Sequence, residues 1–109
     1  MKGKIVLVPF PFTDLTAAKL RPALVIHEGE RDVVAAFISS KVPSEPAEVS
    51  VLVTQDRAGF GKAGLKVDSV IHLDKLATVL KDLIVGELGE LDEELRQEVN
   101  QKLKNILEI

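Results

Sequence analysis

The sequence predicts a mainly β fold, a small barrel or sandwich, with one C-terminal helix. Three observations carry this. Short β-branched and apolar runs recur through the first 80 residues, broken by Pro and Gly. The period changes only near the end, where Leu91, Leu95, Val99, Leu103 and Leu107 recur every four residues. A length of 109 residues suits one domain with one modest core. Sheet segments this short and numerous are those of a small barrel or sandwich.

Residues 4–8 form a compact β-branched run ended by Pro9 and Pro11, which cannot donate to a central ladder. Residues 24–27 and 33–39 are two further strands, and the Glu28-Gly29-Glu30 turn between them makes an antiparallel hairpin. Val49, Val51 and Val53 alternate with Ser50 and Leu52, as in a half-buried strand. Residues 69–73 and 75–80 supply two more. Asp92 is a good N-cap for the final helix, Glu93 and Glu94 suit its positive start, and Lys102 and Lys104 suit its end. Its apolar stripe predicts packing on the barrel rather than on a membrane. Residues 41–48 read as a plain connector. The loop 10–19, with two aromatics and several small residues, reads as a mobile flap.

Composition narrows the function. There is no cysteine, which excludes disulfides and thiolate metal sites. His27 and His72 lack ligand-like spacing, so no metal site is expected. No charged-then-apolar leader opens the chain and no apolar run approaches membrane-spanning length, so a cytoplasmic protein without membrane contact is expected. The net charge of −3 hides an asymmetry. Up to Lys66 nine Lys/Arg stand against seven Asp/Glu; from Val67 onward five stand against ten. An acidic total argues against a broad DNA-binding face but leaves room for a local phosphate site on the N-terminal part.

Gly59-Phe60-Gly61-Lys62-Ala63-Gly64 has dinucleotide-fingerprint spacing, yet no strand runs directly into it and residues 65–70 read as a strand, so it predicts a flexible loop. Leu20-Arg21-Pro22 is more informative. Proline biases Arg21 toward an extended backbone, and a forked guanidinium held that way suits phosphate or carboxylate. Such an arginine is ordinarily a solvated residue or half of an ion pair. However, Ser39 and Ser40 end an otherwise apolar strand, and Arg21 and Ser39 both lie about eight residues from the hairpin turn. A fixed cation beside a hydroxyl, under a flap, is the best constellation here. His27 has a pKa suited to acid–base work, provided the fold brings it to that site; it reads equally well as a strand residue with no role. His72, opposite Ile71 and Leu73, carries no expected role, and Arg57 is expected to be indifferent.

Four blocks in order then resemble the MazF/PemK family of bacterial toxins. They are Gly3-Lys4-Ile5-Val6-Leu7-Val8-Pro9-Phe10-Pro11-Phe12, Leu20-Arg21-Pro22-Ala23-Leu24-Val25, Ile38-Ser39-Ser40 and Gly64-Leu65-Lys66-Val67-Asp68-Ser69-Val70. With the C-terminal helix they cover essentially the whole chain. The resemblance implies an SH3-like barrel and a homodimer. It implies a toxin that cleaves single-stranded RNA sequence-selectively without metal or cofactor, is restrained by a cognate antitoxin, and binds DNA together with it. It places the catalytic arginine on Arg21 and the catalytic hydroxyl on Ser39, with Ser40 one register step away. It makes the loop bearing Phe10, Phe12, Thr13, Asp14 and Lys19 the RNA-binding loop. The chain departs from the family at Gly3-Lys4, where Gly-Asp is common, and at Lys75 and Ala77, where many members carry glutamine and a basic residue. The rival readings are a non-catalytic toxin-fold module acting on a protein such as gyrase, or an inactive dimeric remnant.

Overall fold

The computed structural model describes residues 1–9 and 19–109. Six strands form one antiparallel sheet: β1 (Lys4–Pro9), β2 (Leu20–Glu28), β3 (Asp32–Ser39), β4 (Ser50–Val53), β5 (Ser69–Leu80) and β6 (Gly86–Glu90). Their order is β4-β5-β3-β2-β1-β6, curled into a half-barrel. A helical turn, α1 (Phe60–Ala63), joins β4 to β5, and α2 (Glu93–Leu107) follows β6. A 3-10 turn at Lys81–Leu83 joins β5 to β6.

Successive residues of one strand serve two cores. In β2, Leu24 joins a cluster with Ile5, Ile38, Ile71 and Leu73 that α2 covers through Leu95 and Val99. Its neighbours Ala23 and Val25 join Val6, Val8, Val33 and Val79 in a second cluster. Side chains alternate across a strand, so one buried on both faces reads as an unbroken apolar run. Helix α2 is 15 residues long and marginal on its own. The Asp92 carboxylate accepts the Leu95 N–H at 2.9 Å, the expected cap. Each fully buried leucine or valine then contributes about 1.5–3 kcal/mol of docking.

Several expectations need correction. The two segments at 69–73 and 75–80 are one strand, β5, whose pairing with β3 jumps between Ala36↔Leu76 and Phe37↔His72. The extra residues around Asp74 form a bulge and kept the strand from showing a single alternation. The Gly59–Gly64 segment is not a flexible loop, because residues 60–63 make a helical turn closed by Gly64 at φ 74°. Nor is 65–70 a strand throughout, since β5 begins at Ser69. The β6 sequence Gly86-Glu87-Leu88-Gly89-Glu90 gave no strand signal. Its glycine has a packing reason: a Cβ at Gly89 would overlap the Lys62 carbonyl, and one at Gly64 would overlap the Leu88 carbonyl. In α2 the stripe ends on Ile106, whereas Leu107 is 56% exposed. An every-fourth-residue pattern drifts about 40° per step around a helix, and by Leu107 it has left the core.

Candidate functional site

The ends of β2 and β3 open into a groove of about 900 Å³. Pairing of Ala23 with Phe37 ends the β2–β3 ladder, and continuing that register by two residues sets Arg21 opposite Ser39. Both line the groove. Arg21 is exposed and, among the described residues, has no hydrogen-bond or ion-pair partner. Ser39 Oγ accepts the Lys41 backbone N–H at 3.0 Å, which orients the hydroxyl and leaves its proton to donate elsewhere. Ser40 lines the same wall.

Four lysines join Arg21 around the groove: Lys19, Lys41, Lys66 and Lys75. No Asp or Glu lines it among the described residues. Elsewhere Lys4 pairs with Glu87 and Glu90, Arg57 with Glu94 and Glu98, Lys81 with Glu28 and Lys102 with Glu98, while Lys2, Arg31, Lys62, Arg96 and Lys104 make no ion pair among the described residues. Positive charge is thus gathered where no carboxylate among the described residues lines the groove, as a polyanion site requires. Lys66 sits on a pinned segment: Asp68 accepts the Gln55 N–H at 2.8 Å, and Ser69 Oγ donates to the Val67 carbonyl at 2.8 Å.

His72 is the residue that sequence reasoning passed over. It lines the groove, half-buried, with its ring stacked on Phe37 at 5.6 Å between centroids and 16° between planes. Partial burial lowers its pKa below the ordinary imidazole value, nearby Lys75 lowers it further, and Asp74 opposes both. The alternation with Ile71 and Leu73 signalled its orientation; what lay on that side required the pairing of β5 with β3. Lys41 and Lys66 were likewise hidden, in a connector and an expected strand.

His27 lies elsewhere. It is exposed, six residues along β2 from Arg21, and does not line the groove. Lys19 of the expected RNA-binding loop lines the groove, whereas Phe10, Phe12, Thr13 and Asp14, and with them the expected flap, lie outside the described residues. Arg57 does not line the groove, and its guanidinium donates to the Leu52 carbonyl at 2.9 Å and to Glu98 and Glu94 at 2.8 Å each. Among the described residues no three His, Cys, Asp or Glu side chains are grouped to hold a metal.

A family model, PemK-like, MazF-like toxin of type II toxin-antitoxin system, matches residues 1–107. The chain belongs to the PemK/MazF toxin family. The fold of this MazF-like chain is shared by solved structures. One is the Mycobacterium tuberculosis toxin MazF-mt6, at TM-score 0.75 and 18% identity, covering 97% of each chain. Another is a mycobacterial endoribonuclease in complex with its cognate antitoxin, at TM-score 0.74 and 17% identity, covering 98% of this chain and 93% of that one. A MazE-MazF structure from Deinococcus radiodurans gives TM-score 0.70 and 21% identity, covering 99% and 94%. No curated protein sequence matches significantly. The family and fold that the four sequence blocks implied are thereby established for this MazF-like chain.

Proposed function

We propose that this MazF-like toxin is a metal-independent endoribonuclease that cuts single-stranded RNA at selected sequences, under the control of a cognate antitoxin. The observation that carries the reading is the cationic groove lined by Arg21 and Ser39, with no carboxylate among its described lining residues. Five cations gathered in one groove with no carboxylate among the described lining residues suit a chain of phosphates. The nucleophile is the RNA's own 2'-hydroxyl, so the reaction requires no metal-activated water.

In this scheme the 2'-oxygen attacks the adjacent phosphorus and negative charge accumulates on the non-bridging oxygens. Arg21, free of competing partners among the described residues, presents a permanently charged fork to that charge. Preorganised donors of this kind are usually the largest catalytic contribution in a partly desolvated site. Ser39 adds a neutral hydrogen bond from the hydroxyl that Lys41 has oriented. The lysines hold the flanking phosphates. An acidic antitoxin segment entering the groove would meet the same cations and exclude RNA.

Purified protein incubated with mixed-sequence RNA in EDTA tests the proposal. Cleavage should persist and leave 2',3'-cyclic phosphate and 5'-hydroxyl ends. DNA, and RNA bearing 2'-O-methyl at the cut site, should survive. Loss of activity in EDTA, or equal cutting of DNA, would reject this chemistry. Sequencing the cut ends then defines the recognition sequence.

A further inference from the structure

Attack by a 2'-hydroxyl needs a proton acceptor, and neither Arg21 nor Ser39 supplies one. Guanidinium and ammonium groups are donors without a lone pair, and the groove serines are neutral hydroxyls. No carboxylate lines the groove among the described residues. His72 alone among these lining side chains combines a lone pair with titration near neutrality.

Its position is held from several sides. β5 pairs with β3 through Phe37 and with β4 through Ser50, both opposite His72. The Phe37 ring stacks on the imidazole. The flanking residues Ile71 and Leu73 are fully buried. The charged groups in the groove and on the elements packed beside it are Lys75 and Asp74 on its own strand, Lys19 before β2, Arg21 from β2, Lys41 beyond β3, Lys66 before β5, and Lys102 of α2, which donates to the Ser50 carbonyl at 2.6 Å and pairs with Glu98 at 3.7 Å. Burial disfavours a further positive charge on the imidazole, Lys75 acts in the same direction, and Asp74 opposes them. The imidazole is therefore neutral at pH 7, ready to accept.

Resting on the ribonuclease reading, we propose that His72 is a catalytic residue that takes the proton from the attacking 2'-hydroxyl. As the proton moves to the imidazole, the 2'-oxygen–phosphorus bond forms and the phosphorus–5'-oxygen bond breaks. The departing 5'-oxygen takes a proton from water, and His72 returns its own to solvent. Substrate and products balance with no other reactant.

The test is the pH dependence of kcat/KM on an RNA that the wild-type protein cuts. That quantity reports the free enzyme's essential groups. Wild type should lose activity on the acid side, with a midpoint below the ordinary imidazole value of about 6.5. The sign follows from the role: protonation at low pH removes the acceptor, so activity rises with pH and then levels. His72→Gln should fall by on the order of a hundredfold and lose that acid limb. His72→Phe, which keeps a ring against Phe37, should melt like wild type and be equally inactive. Added imidazole should restore part of the rate to His72→Ala and none to Arg21→Ala. If His72→Gln cuts at the wild-type rate, or keeps the acid limb, the inference is wrong while the ribonuclease reading stands. If the wild-type protein cuts no RNA, both fall.

Discussion

Arg21 and Ser39 illustrate how little a functional residue needs to be unusual in itself. Each is an ordinary strand-end residue, and it is their meeting in one groove on which the proposed joint role rests. Removing one preorganised charge-stabilising donor typically costs on the order of a hundred- to a thousandfold in rate. Arg21→Ala should therefore be nearly inactive yet as stable as wild type, because among the described residues Arg21 supports no other side chain. Arg21→Lys should also be severely impaired, since the fork is lost. Ser39→Ala removes one neutral hydrogen bond, about 1 kcal/mol, and should cut several-fold to tenfold more slowly. Single-turnover cleavage beside a thermal melt measures all three. Near-wild-type cutting by Arg21→Ala would remove it from the mechanism, and an inactive Ser40→Ala beside an active Ser39→Ala would shift the hydroxyl by one position. The pairing of Arg21 with Ser39 was legible because hairpin arithmetic needs only a turn and two residue counts. His72 was not, because its partner strand is distant in sequence.

At the level of elements, Arg57 is a clamp. It joins the end of β4 to α2 through the Leu52 carbonyl, Glu94 and Glu98. Burial works against its charge, but its hydrogen bonds to Glu94 and Glu98 outweigh that and raise its pKa. Glu94 is largely exposed and its pair with Arg57 contributes little. The half-buried Glu98 and the backbone carbonyl matter more, because each loses a charged donor when Arg57 goes. Arg57→Ala should therefore lower unfolding free energy by about 1–3 kcal/mol in denaturant titration, with cleavage at 25 °C unchanged. An unchanged denaturation midpoint would show that the clamp is unimportant. The same scale explains what was missed: Gly89 lets the β6 backbone pass α1, and with Gly86 it takes the place of residues by which strands are recognised.

For the molecule as a whole, the charge asymmetry of the sequence has a spatial counterpart. Two of the five N-terminal cations outside the groove, Lys4 and Arg57, pair with carboxylates of the acidic C-terminal part. Those in the groove stay unpaired among the described residues, so an acidic protein presents a local polycationic site. No helix among the described residues is long and apolar enough to cross a membrane. We propose that the working unit is a homodimer. Leu80, Leu83 and Val85 stand 54%, 46% and 63% exposed in one short stretch, an apolar surface a second copy would cover. Light scattering at micromolar concentration should give twice the chain mass of 11.9 kDa. A strict monomer that still cuts RNA would refute the dimer. An antitoxin sharing the groove should compete with RNA in a binding assay, and inhibition without displacement would place it elsewhere.

The sequence by itself determined the family, the strand-rich fold, the hairpin that sets Arg21 opposite Ser39, and the capped amphipathic helix. All of these follow from local rules: period, turn chemistry, capping and residue order in short blocks. The tertiary structure alone decided which remote residues join that pair. His72 enters through the pairing of β5 with β3, thirty-five residues further along the chain from Phe37. Lys66 and Lys75 arrive with it, Arg57 leaves for the helix, and His27 ends at the other end of its strand. Strand alternation tells which way a side chain points, but only long-range pairing tells what it points at, and no local pattern encodes that neighbour.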